Sequence, residues 1–365
     1  LWSGTITRDF NHVLEIYRGI AYGIVDEISI SLKQESKDRL VETIIINPEA
    51  YKAYLNARQY LGSLSKEGLD KAAEYLQVSI EHDPEYAPAY GGMSSVWAYR
   101  QQMGFASREE AVPKIETNLS TAFSLDSTLA ESYYSKAVVE AWTHWNWMEA
   151  EVAFKKALSI NPNLAEAHAF YSHLLMCLKR PVEMKMHMDQ AIEIDPYNPL
   201  IQVLKGVELS MTEQSDKAIE HFKPLDKLAP NNTLVQVGLW MAYHVQGNKD
   251  KAFNKQKRIL ELVCRDNRVI KTLEDTYASE GYEAALSAAA DSWTKRSGLE
   301  FVPPDYIYWM YGASGEVEKT LEWLKKGYEM HDSNMPYIAV LPIFSEIQDN
   351  PVYLNLLEKL NLPID

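Results

Sequence analysis

Residues 150–162 read AEVAFKKALSINP, residues 184–196 read MKMHMDQAIEIDP and residues 218–230 read AIEHFKPLDKLAP. Each stretch begins 34 residues after the one before and closes on a proline: Pro162, Pro196 and Pro230. Phe154, Met188 and Phe222 hold one large apolar column, and Ala218 and Ala252 a small one. The glycines Gly247, Gly281 and Gly315 keep the same interval, as do Leu175, Leu209, Tyr243 and Tyr277. Several columns in one register predict a helix–turn–helix unit that cannot bury its apolar face alone and stacks on copies of itself. The glycine after the first helix tolerates the left-handed conformation that ends it, and the proline after the second stops that helix where no amide donor is needed.

From Ala150 to Asp332 the register needs no insertion. Upstream, the first pair is expected near Ala50 to Leu61 and Leu69 to His82, where Ala57 and Ala72 allow close approach. The second starts at Ala87, with its connector enlarged by Gln101 to Arg108. The third starts at Ala130 and carries Thr143-His144-Trp145-Asn146-Trp147 in its turn. Five more are expected near Ala165, Pro199, Thr233, Asn267 and Phe301, eight pairs in all. Regularity decays late: Cys264 and Asp332 stand where prolines are expected, and Leu286, Ala290 and Trp293 depart from the usual small and large residues. The segment after Asp332, with a helix from Pro351 to Leu360, is the candidate end cap, which a solenoid needs because its last apolar face must be covered. Ahead of the repeats, Phe10, Val13, Leu14, Tyr17, Ile20, Ala21, Ile24, Ile28 and Leu32 form the stripe of an amphipathic helix.

Lys and Arg number 36 against 51 Asp and Glu, a net charge of −15 spread along the chain. Such a surface repels duplex nucleic acid, whose binding draws on cationic phosphate contacts. Cys177 and Cys264 lie 87 residues apart on repeats that are not adjacent, so a disulfide is not expected, and two thiols separate cytoplasm from periplasm only slightly, in favour of the cytoplasm. No run of about 18 apolar residues or basic-apolar leader occurs. The chain opens at Leu1, which implies that something upstream has been removed.

Over residues 50–332 the spacing and residue types together resemble the tetratricopeptide family. A narrower likeness rests on three stretches. The opening LWSGTITRDFNHVLEIYRGIAYGIVDEI resembles the last strand and helix of a TolB-like domain, which precedes such an array in bacterial regulators. WTHWNWMEAEVAFKKALSINP, through Trp145 and Trp147, resembles the Trp-rich third repeat of that array, and PIFSEIQDNPVYLNLLEKL its terminal segment, although here Asn350 separates Asp349 from Pro351. The resemblance implies an all-α, right-handed superhelical solenoid. Residues 1–38 would be a TolB-like remnant, 39–50 a connector, 51–332 the repeats and 333–365 the cap. It also implies effectors upstream, none of which these 365 residues encode.

In this family the first helix of each pair lines the concave groove. Counting from each repeat start puts Tyr134, Val138, Trp142, Phe170, His173, Met176, Cys177, Val203, Val207, Met211, Met241 and His244 there. Such an apolar floor either marks a protein-binding surface or is core covered by superhelical curvature or a terminal segment. The family's clamp for a C-terminal carboxylate is missing, since Ser95, Val138, His173, Val207 and Met241 occupy its asparagine positions. His168 and His173 do not share a helical face and make a poor metal pair. Met184-Lys185-Met186-His187-Met188 is core filling before it is a soft-metal site, because Met184 and Met188 hold the packing columns. Gly91-Gly92 sits inside a helix, where it admits a neighbour or ligand. No nucleophile triad, phosphate loop or HExxH string is present, and no cofactor or enzyme activity is expected. The expected function is recognition of a protein or peptide partner in a bacterial regulatory or signalling system, the chain's own upstream effector included. The alternative is a scaffold that pairs with a second copy of itself. Neither nucleic-acid binding nor membrane insertion is expected of this stretch.

Overall fold

A computed structural model describes residues 47–297 and 299–364. The amphipathic stripe of residues 9–32, the TolB-like segment and most of the connector lie outside the described residues. Among those described there are seventeen α-helices and no strand. Sixteen form eight consecutive antiparallel pairs: α1 (Pro48–Leu61) with α2 (Lys66–His82), α3 (Ala87–Gln102) with α4 (Arg108–Leu125), and α5 (Ala130–Val138) with α6 (Trp147–Ile160). Then come α7 (Ala165–Cys177) with α8 (Pro181–Ile194), α9 (Pro199–Met211) with α10 (Ser215–Leu228), and α11 (Thr233–Val245) with α12 (Lys249–Leu262). The last are α13 (Asn267–Glu280) with α14 (Tyr282–Thr294) and α15 (Pro304–Ser314) with α16 (Val317–Glu329). Two 3-10 turns, Met335–Val340 and Pro342–Ile347, lead to α17 (Pro351–Lys359). The all-α solenoid of eight pairs expected from the 34-residue period is therefore observed.

The helix starts follow from capping chemistry. Asn47, Ser65, Ser107, Asn146, Asn198, Asn232, Asn248 and Asp266 each accept a backbone N–H of the turn they open, satisfying donors that a helix leaves free. Between the helices of a pair one position is left-handed in six successive repeats: Trp145, Lys179, Glu213, Gly247, Gly281 and Gly315, 34 residues apart throughout. Glycine meets that demand without cost at three of them, and the other three are held by packing or stay solvated. The small column, Ala72, Ala150, Ala218 and Ala252, is fully buried where paired helices come closest.

Successive pairs wind so tightly that distant repeats touch. Arg58 on α1 is ion-paired to Glu166 on α7 at 2.7 Å, and a β-carbon at Gly62 would sit 3.5 Å from Leu200 Cβ on α9. On the other side the eighth pair returns to the second, where Tyr306 Oη donates to Met103 O at 3.4 Å and Pro303 crowds Gly104. The enlarged second connector is thus the landing place for the far end of the chain. The Trp-rich turn of the third repeat completes the closure. The five residues Val139–Thr143 that lead into it form a π-helix, after which Trp145 stacks on His331 at 3.5 Å and Trp147 Nε1 donates to Leu360 O at 2.6 Å.

Candidate functional site

The first helices of the pairs do face inward, but their side chains do not line an open floor. Val138, Trp142, Phe170, His173, Met176, Cys177, Val203, Val207 and Met241 are buried, while Tyr134, Met211 and His244 are half-buried. Of the two readings the apolar floor allowed, the structure shows the covered one, with the segment Met335–Ile347 and the opposite wall of the solenoid lying over these side chains. Tyr337 is the central plug. Its ring stacks against Trp142 at 6.3 Å and meets His173 edge-on at 6.0 Å, and Trp142 and Tyr99 both pack on Phe170. His173 Nε2 lies 3.0 Å from Leu204 O, so it carries the proton, and Nδ1 accepts from Tyr337 Oη at 3.3 Å. Burial holds that imidazole down at about 4, so it is neutral near pH 7. What remains of the floor is a cavity of about 40 Å³, reached by Leu64, Tyr99, Met211, Met241, Trp309 and Tyr337.

The open part of the concave surface lies towards the amino-terminal repeats. A cleft of about 530 Å³ runs between α1, α3, α5, α7 and the start of α9. Tyr54, Tyr99 and Tyr134 wall it, and Gly91, Ser95 and Ser135 form its bottom. The bottom is deep because these residues are small: Ser95 and Ser135 lie 3.2 Å apart and both donate to Gly91 O. Gly92 serves a different purpose, since a β-carbon there would meet Leu76 of α2, in the preceding repeat, at 2.8 Å. Tyr99 and Tyr134 share a hydrogen bond at 2.9 Å, and burial raises both phenols above their usual range. The Arg58–Glu166 pair closes one rim, with Asn198 Nδ2 donating to the same Glu166 oxygen at 3.3 Å. Of the expected groove residues only Tyr134 lines this cleft. Gly91, Gly92 and Ser95 were also singled out in the sequence, but the juxtaposition of repeats 1 and 5 was not, because it arises through curvature, for which no single helix carries a signal.

One histidine pairing was not legible either. His168 and His187, from α7 and α8, face each other Nδ1 to Nδ1 at 2.8 Å, and burial holds both below the ordinary imidazole range, His187 at about 4. Among the described residues, no three His, Cys, Asp or Glu side chains gather as metal ligands. No described helix is long and apolar enough to cross a membrane. On the convex side Met148 and Val152 of α6 recur one period later as Val182 and Met186 of α8, all exposed, Met148 at 74% and Val182 at 82%.

No protein-family model matches the chain. Among solved structures it is similar to a tetratricopeptide repeat protein from Parabacteroides merdae, at 14% identity over 81% of this chain and 98% of that one, TM-score 0.38. It is also similar to yeast Tom70 (15% identity, 85% and 68% covered, TM-score 0.39) and to the TPR domain of P58(IPK) (15%, 86% and 92%, TM-score 0.23). At such values the likeness carries no site, ligand or partner across.

Proposed function

We propose that the chain is a tetratricopeptide-type recognition module of a bacterial regulatory or signalling protein, with residues 51–332 as the repeats and 333–365 as the cap. An extended peptide or protein segment is bound in the cleft between α1, α3, α5 and α7. The observation that carries this reading is the cleft itself: about 530 Å³, walled by three tyrosines, and floored by small residues that let a ligand backbone come close. Aromatic walls supply contact area at low entropic cost, and the rim charges supply orientation. The regulatory context is supported by the TolB-like opening and the Trp-rich third repeat. No catalytic role is assigned to any residue.

Panning a random-peptide library against the chain tests the cleft. Gln59→Trp and Glu131→Trp, each at the cleft wall and outside the core, are expected to weaken an enriched peptide by about tenfold or more, a change of about 1.4 kcal/mol. A convex-face substitution, Val182→Glu, leaves that binding intact. Equal binding by the wild type and both tryptophan variants removes the reading.

The scaffold alternative has its own support in the apolar row Met148, Val152, Val182 and Met186, repeated in phase on adjacent helices. Light scattering over a concentration series separates the two. A mass that doubles with concentration in the wild type and not in Val182→Glu favours self-association through that row.

A further inference from the structure

The seam where the two ends of the solenoid meet holds two carboxylates that form no ion pair with any cation among the described residues. Asp305 is the second residue of α15, and Asp332 follows α16 where the repeat register expects proline; both are buried. Pro303, ahead of α15, has no side chain able to cap it. Asp332 lies beside that uncapped start, its Oδ1 accepting the backbone N–H of Asn334 at 2.8 Å. The Asn334 amide then donates to Asp305 at 2.8 Å and, across the seam, to Gln102 O at 2.8 Å. The acid pair therefore holds three elements together: the eighth repeat, the second repeat and the start of the segment that plugs the concave floor.

The groups facing the pair do not neutralise it. Tyr306 spends its hydroxyl on Met103 O. Tyr308 approaches Asp332 from α15 and is held protonated by burial. Arg108, Glu109, Gln101 and His331 line the cavity of about 30 Å³ beside the pair. Arg108 Nη1, however, donates to Thr143 O at 2.7 Å, and among the described residues Arg108 forms no ion pair with either aspartate. Burial keeps His331 neutral, down at about 4.

We propose that Asp305 and Asp332 form a proton-operated latch: while they hold a proton between them the segment 333–347 stays in the concave channel, and their ionisation lets it leave. Two negative charges in one buried seam repel each other, and a proton held on either removes that repulsion. Burial pushes Asp332 up to about 7 and, with the neighbouring charge, holds Asp305 well above the carboxylate range. Once the seam opens, both carboxyls return to water and to an ordinary value of about 3.9. The closed form thus binds protons that the open form has lost. Closure is strongest below about pH 4 and weakens as pH rises until both acids are ionised, past about 7, opening becoming about tenfold easier per pH unit for each proton released. Release uncovers Trp142, Phe170 and His173, which lie outside the peptide cleft proposed above; that a partner then takes them rests on the general recognition role, and the latch itself does not.

Hydrogen exchange of the full chain, without partner, tests it. Amides of residues 333–347 are followed from pH 5 to 8.5, corrected for intrinsic exchange, with α11 as internal reference. The opening constant of the segment is expected to rise by about tenfold or more between pH 5 and 7 against the reference. In the double variant Asp305→Asn/Asp332→Asn the profile is flat. A flat wild-type profile overturns the latch, as does a double variant that rises equally. Asp332→Asn, which keeps an acceptor for the Asn334 N–H, gives a reduced rise if the double variant does not fold. Failure here leaves the peptide-panning result untouched, and failure of the panning leaves this one untouched.

Discussion

Phe222→Ala is expected to lower the stability of the middle repeats by about 3 to 5 kcal/mol, the range for deleting a buried aromatic ring. The ring is fully buried on α10, and two glycines make room for it from either side. A β-carbon at Gly206 on α9 would lie 2.4 Å from its Cζ, and one at Gly238 on α11 would lie 2.4 Å from its Cε2. Helices normally close a gap by sliding together, but here they are tied at their present distance: Ser210 Oγ on α9 lies within hydrogen-bonding reach of Gly206 O at 3.0 Å and Gly238 O at 3.1 Å. The space left by the ring therefore stays empty, which puts the cost in the upper part of the range. Because a solenoid is stabilised between neighbours, the loss should concentrate in the fourth to sixth repeats. Trp240 on α11, buried and donating to Tyr282 Oη at 2.9 Å, reports on it by fluorescence during urea unfolding. The reverse change, Gly238→Ala, should also destabilise, and combined with Phe222→Leu it should cost less than the two single changes added together, since the pair share one space. An unfolding midpoint for Phe222→Ala equal to that of the wild type would mean that the packing column is misread.

That column was legible in the sequence because it is local. Phe154, Met188 and Phe222 recur at the period of one repeat, and each packs between helices that follow directly in the chain. The turn after each first helix was legible for the same reason at Gly247, Gly281 and Gly315. At Trp145, Lys179 and Glu213 a positive φ occurs at the same register position without glycine, so register predicted what residue type did not. The eighth pair starts at Pro304 rather than near Phe301, because Pro303 and Pro304 extend the chain before a helix can form.

What the sequence hid is the way the solenoid closes on itself. Three tryptophans in the six residues Trp142–Trp147 announced a special turn, and the enlarged connector Gln101–Arg108 announced a special loop. Neither said what it would touch. Their partners, Tyr337, His331, Leu360, Pro303 and Tyr306, lie at least about 180 residues further on and keep no register with them. Cumulative twist over eight repeats brings them together, and a pattern confined to one repeat cannot encode that sum. The same limit explains why the floor residues read equally well as a binding surface and as core: apolar side chains at inward positions satisfy both, and the difference lies in whether a distant segment reaches them.

Trp142→Ser/Phe170→Ser decides between those two readings with a large effect. Were these side chains exposed anchors for a ligand, the double variant would lose partner binding and keep its helical circular dichroism and melting temperature. In the closed arrangement both are nearly fully buried, and they pack on each other edge to face at 5.5 Å with Tyr337 and Tyr99 around them. Each truncation then removes a ring from the core at a cost of about 3 to 5 kcal/mol, and the serine hydroxyls add a smaller penalty wherever no acceptor is within reach. The two losses will not simply add, because the rings touch and the second deletion enlarges a cavity the first has already opened. Their sum is nonetheless comparable to the whole stability of a typical domain, about 5 to 15 kcal/mol. The double variant is expected to melt far below the wild type or not to fold at all. The single variant Trp142→Phe, which keeps most of the apolar volume, should remain folded with the C-terminal segment less protected from hydrogen exchange. A double-serine variant with an unshifted melting curve would show that the segment around Tyr337 does not cover the floor in solution, and would return Trp142 and Phe170 to the open groove.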